Sequence, residues 1–101
     1  MDYRVVLQVD AGVTGLGGKV HASYGHHIVF NSDSGNVVDD AVNAVRIEIL
    51  RDGYLTDPED SCVKAKIVRI EEAEGGKRVS INDRLIVRVT QAEILANHPL
   101  T

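Results

Sequence analysis

The densest chemistry in this chain lies between residues 12 and 27. Three of its four histidines, His21, His26 and His27, fall there, with Tyr24 among them. Imidazoles hold a metal when several converge on one point. Adjacent strand residues point to opposite faces, so only one of His26 and His27 can join His21. No Cys or carboxylate stands at a recognised ligand offset. The reading is that there is no metal site and no cofactor. His21, Tyr24, His26 and His27 remain the candidates for a small-ligand or protein-contact patch.

The segment Gly12-Val13-Thr14-Gly15-Leu16-Gly17-Gly18-Lys19 follows an apolar run, as phosphate loops do. The Walker pattern fails at both ends. Val13 stands where its first glycine belongs, and Val20 follows Lys19 where a hydroxyl should meet magnesium. The dinucleotide pattern fails too, with Val20 in place of its last glycine. No helix clearly follows to aim a dipole at a phosphate. Residues 10–18 are expected to form a β–β loop.

Other partial motifs also break. His21-Ala22-Ser23-Tyr24-Gly25 has His where a nucleophile elbow requires glycine. Asn31-x-Asp33-x-Gly35-Asn36 has Val42 where a calcium loop needs a bidentate Glu. Cys62 follows Asp57-Pro58-Glu59-Asp60, and nearby negative charge disfavours a thiolate. As the single cysteine it has no disulfide partner within the chain. No acid–base, nucleophile or metal set assembles. The expected function is therefore a non-catalytic interaction protein that self-associates, as a homodimer and with another protein as a further partner. The alternative is a small-ligand-binding protein or enzyme, with a pocket formed by the Gly-rich loop 12–18 and the His21–His27 segment.

The elements that must position these residues are mostly strands. The chain of 101 residues contains 15 Val and 8 Ile against 7 Leu, with no Trp and one Phe. Stiff, β-branched side chains suit a pleated surface. Tyr3 to Val9 is a first strand, Lys19 to Tyr24 a second and His26 to Phe30 a third, with Gly25 interrupting. Val38, Ala41, Val42, Val45 and Ile49 lie at helical spacing, with Asn36 or Asp39 available as N-cap. Val45, Ile47 and Ile49 also alternate as a strand would. β-Branched density favours a short helix near 38–44 and a strand over 44–50, against a continuous helix over 38–51. Asp52-Gly53 offers a turn, and residues 56–61 an acidic loop.

Val63 to Glu72 is a long strand, Gly75-Gly76 a turn and Arg78 to Ile81 its hairpin partner. Asn82-Asp83 turns into a strand over 84–89. Thr90-Gln91-Ala92-Glu93 matches a capping box, so a terminal helix over about 91–97 should follow, ended by Pro99. The fold class is α+β in a single domain over residues 1–101. Its sheet is mainly antiparallel, with five to seven short strands in a meander or small barrel-like form. One or two short helices complete it, including the C-terminal one.

The net charge is −4, with acids and bases interspersed. No basic stripe runs along the chain, so no nucleic-acid partner is expected. No stretch approaches a membrane span, and residues 1–4 lead into a short apolar run without a basic leader. A reducing cytoplasm is the expected compartment. Val5-Val6, Ile67-Val68 and Ile86-Val87 place apolar residues on both faces of several strands. A chain with so little helix has little to cover a second face, and a second copy is the expected cover.

Overall fold

The computed structural model describes residues 1–15, 18–52, 62–82 and 84–97; within these, the side chains described exclude 11–22, 52, 62, 91, 95 and 97. The order is β1 (Asp2–Gly15), β2 (Gly18–Asn31), α1 (Val37–Asp52), β3 (Cys62–Glu72), β4 (Arg78–Val79), β5 (Ile86–Thr90) and α2 (Gln91–Asn97). The strands form one antiparallel sheet in the order β2-β1-β3-β4, with β5 also pairing with β3. The fold is α+β, and among the described residues its sheet is open and does not close into a barrel.

β1 and β2 pair without interruption from Asp2↔Asn31 to Gly15↔Gly18. The glycine-rich residues 12–15 and 18 are therefore strand, not the expected loop. Gly25 does not interrupt β2, because an open antiparallel edge accepts a residue without a side chain. Fourteen residues at about 3.3 Å each span about 46 Å, and this hairpin sets the 44 Å long dimension of the molecule.

Alternation decides which side chains enter the core. Val5, Leu7 and Val9 of β1 and Phe30 of β2 are buried on one face, with Val63, Ala65 and Ile67 of β3 and Val87 and Val89 of β5. β3 carries a bulge: Val6 opposes Arg69 while Leu7 opposes Ile67, leaving Val68 as the extra residue. The bulge reverses the parity of β3, so Ile70 as well as Ile67 reaches the core. The apolar pair Ile67-Val68 is in this way a sheet irregularity and not a strand buried on both faces.

α1 covers this face with Ala41, Val45 and Ile49. It is continuous from Val37 to Asp52, so residues 44–50 are helix and not the expected strand. Buried residues recur every four positions along it, and that tertiary stripe overrides the β-branched content. Asn36 precedes the first turn, and its carbonyl accepts the Asp40 N–H at 3.1 Å. Asp39 and Asp40 lie in the first turn, where the helix dipole favours acids. The turn before β4 uses Gly75 and Gly76 at φ +86° and +69°, a region that L side chains avoid.

α2 begins where the capping box places it. The Thr90 Oγ1 accepts the Glu93 N–H at 3.2 Å, and a Glu93 carboxylate oxygen accepts the Thr90 N–H at 3.3 Å. Ile94 then enters the core. Gly53, residues 56–61, Asp83 and Pro99 lie outside the described residues.

Candidate functional site

Among the described residues, two features of the sheet are left without a partner: its outer edge at β2, and the face opposite the helices.

The edge follows from hydrogen-bond parity. Ser32 N–H donates to the Met1 carbonyl, and Ala73 N–H to the Asp2 carbonyl, each at 3.0 Å. Odd residues of β1 therefore bond toward β2 and even ones toward β3, since bonded and non-bonded pairs alternate. Through the register, Tyr24, His26, Ile28 and Phe30 turn their backbone groups inward to β1. Ser23, Gly25, His27, Val29 and Asn31 turn theirs outward, where the sheet ends.

The candidate histidines sit on this edge. His27 lies on the open face. His26 lies on the helix side, its Nε2 at 2.9 Å from a Glu48 carboxylate oxygen of α1, to which an Nε2–H donates. The two imidazole centroids are 6.3 Å apart. Tyr24 shares the helix side with His26 and packs against the core. The backbone of His21 pairs with Gly12; its side chain lies outside those described. The histidine segment is thus split across two faces. Among the described residues no group of three His, Cys, Asp or Glu side chains could hold a metal ion.

A shallow hollow of about 470 Å³ opens over Gly25, lined by Arg4, Val6, His26, His27, Arg69 and Glu71. Its charges answer one another. Arg4 donates to Glu71 at 3.3 Å, and Arg69 donates to the other carboxylate oxygen of Glu71 at 3.3 Å. Burial pushes the Glu71 carboxyl up, but the Arg4 hydrogen bond and the Arg69 charge outweigh it and hold the carboxyl below its ordinary range. A second hollow of about 580 Å³, at Met1, Asp2, Asn31, Ala73 and Glu74, brings no base beside a nucleophile.

The open face has its own order. The register aligns Val29, Arg4, Glu71 and Arg78 in one row, and His27, Val6 and Arg69 in the next, beside the Val68 bulge. Below these come Gly25, Gln8, Lys66 and Ile86, then Ser23, Asp10, Lys64 and Arg88. Val29, Val6, Val68 and Ile86 therefore form an apolar diagonal across four strands. Val29, Val68 and Ile86 are 55%, 49% and 43% exposed. Cations flank the diagonal on both sides.

Reading charge along the chain misses this basic face. Val63-Lys64-Ala65-Lys66-Ile67 and Ile86-Val87-Arg88-Val89 hold the signal: every second residue is buried, so the cations between them share the other face.

The chain matches no family of known proteins, no curated protein and no solved structure. Among the described residues no helix is long and apolar enough to cross a membrane.

Proposed function

We propose that the protein is a non-catalytic interaction module that pairs with a second copy of itself through β2, extending one sheet into the next. The observation that carries this reading is the undefended edge. Edge strands are normally blunted by shortness, Pro, Lys or a bulge. β4 and β5 are short, at 2 and 5 residues. β2 runs 14 residues, contains no Pro and one Lys, and pairs with β1 without a bulge. Antiparallel β2–β2′ pairing about a two-fold axis satisfies its outward backbone groups, and C2 dimers are the commonest homo-oligomers.

Sedimentation of the full chain at about 10 μM, above a micromolar Kd, tests it. The expected result is a dimer mass. Gly25→Pro is the selective variant. Its N–H points outward, so the ring removes no bond to β1 but obstructs a neighbouring strand. Val29→Lys places a charge on the same edge. Both should give monomers with an unchanged far-UV spectrum. A monomer mass for the parent chain overturns the reading, as does a dimer that survives both substitutions.

A further inference from the structure

We propose that the open face of the sheet docks a protein partner that presents acidic groups around an apolar strip. The argument begins with an unfavourable arrangement. Lys64 and Arg88 are directly opposite in the β3–β5 register, and Lys66 follows two residues on, on the same face. Like charges directly opposite destabilise a sheet. Among the described residues no carboxylate forms an ion pair with Lys64, Lys66 or Arg88, although Asp10 stands opposite Lys64 on β1. Across the diagonal, Arg4 and Arg69 both engage Glu71. One flank thus holds a carboxylate among its arginines, though Arg4, Arg69 and Arg78 outnumber it, and the other flank has no ion-paired anion and calls for an external one.

The diagonal itself sets the kind of partner. Val29, Val68 and Ile86 are large aliphatic groups left in water between the charged flanks. An apolar centre within a charged rim is the anatomy of a protein–protein interface. Single-stranded nucleic acid needs ring systems on which bases stack. The described Tyr and Phe rings Tyr3, Tyr24 and Phe30 belong to the core side, with Tyr3 stacked on Phe30 at 5.9 Å, which leaves the His27 imidazole as the single described ring on the open face. A second copy fits poorly on this face, because any two-fold stacking brings one cation-rich flank against another. With a net charge of −4, the rest of the molecule is acidic, and the cations gathered here mark a directed surface.

This inference does not rest on edge pairing, and its test reads affinity and not mass. A display library of random dodecapeptides is selected against the full-length chain. The enriched peptides are synthesised and measured by fluorescence anisotropy, beside a labelled oligo-dT strand. Enriched peptides should combine Asp or Glu with Leu, Ile, Val or Phe. Arg88→Glu and Ile86→Ser should each weaken them by about tenfold or more, and added salt should weaken them further. Arg88→Glu gives Lys64 an attracting neighbour, so this variant should fold at least as stably as the parent. Arg51→Glu, an equal charge change on α1, should leave affinity unchanged. Enrichment without acidic bias, no enrichment at all, affinity indifferent to Arg88→Glu, or tighter binding of oligo-dT than of any peptide would each overturn the proposal.

Discussion

Thr90→Ala tests the link from a four-residue motif to the packing of α2. Thr90 supplies one half of a reciprocal cap: its hydroxyl accepts the Glu93 N–H at 3.2 Å, while Glu93 accepts the Thr90 N–H at 3.3 Å. The Glu93 carboxylate is also held by Arg46 of α1 at 3.1 Å. Alanine removes the hydroxyl acceptor and leaves the other contacts. Losing a Thr cap costs about 0.5–2 kcal/mol. Thr90 is exposed, so water recovers part of that bond, and the lower half of the range applies, about 1 kcal/mol. α2 is only 7 residues long and cannot persist by propensity. Its described anchor in the core is Ile94, so the loss is felt in global stability. For a domain of this size, about 1 kcal/mol lowers the melting temperature by about 4–8 °C. Urea denaturation should show a lower midpoint at constant m-value. Thr90→Ser keeps the acceptor and should melt close to the parent, while Glu93→Ala also loses the Arg46 bond and should cost more than Thr90→Ala. A Thr90→Ala variant melting within about 1 °C of the parent, or Thr90→Ser as damaging as Thr90→Ala, would refute the reasoning.

Two further outcomes follow from the core and from the start of α1. Ile70→Ala should cost about 2–5 kcal/mol by leaving a cavity, whereas Val68→Ala, two residues away on the exposed side of the bulge, should cost less than about 0.5 kcal/mol; paired urea titrations compare them, and equal costs would contradict the placement of the bulge. Asp40 accepts hydrogen bonds from Ser32 at 2.6 Å and Ser34 at 2.7 Å, which hold its carboxyl below the ordinary 3.8. A carboxyl depressed in the folded state contributes stability that is fully present above 3.8 and lost as pH falls through the lower folded value. Melting temperature should therefore drop on acidification below about pH 4, with a shallower slope in Asp40→Asn; identical slopes would remove Asp40 from the acid response.

How much of this was legible in the sequence depends on which interaction decides each element. β3, β5 and α2 were readable because local chemistry settles them: alternation, a Gly-Gly turn, a capping box. Residues 44–50 were not, because Val45 and Ile49 satisfy both periods while Ile47, exposed on α1, fits the strand period alone, and only the sheet beneath α1 chooses the helix. Residues 10–18 looked like a loop by glycine content. Glycine tolerates the extended conformation as well as the turn, and an uninterrupted 14-residue ladder sets the outcome. The histidine segment was read as extended but as two strands broken at Gly25, where the structure has one continuous β2, and its splitting between faces follows from period two. Its use of Glu48 could not be foreseen, because that contact depends on where α1 lies over β2. The basic face was hidden for a related reason: net charge averages over the whole chain, and only alternation sorts its cations to one side.

The edge and the face make different physical demands, and this is why they suit different partners. A backbone ladder is complementary to itself and needs no charge of opposite sign across it, so an unblocked β2 is best matched by another β2. A face whose flanks are both rich in cations repels its own copy and requires an opposite charge. The two need not compete. Antiparallel pairing of β2 with β2′ places the two-fold axis perpendicular to the sheet, so both helical layers fall on one side and both open faces on the other. Five strand spacings then separate the two β3 strands, about 24 Å at about 4.8 Å per spacing. A partner with two acidic segments, or two copies of one partner, would meet a continuous surface there and gain from avidity. Gly25→Pro would abolish that gain while leaving each Lys64–Lys66–Arg88 cluster as it is, and Arg88→Glu would weaken each contact without changing the mass of the assembly.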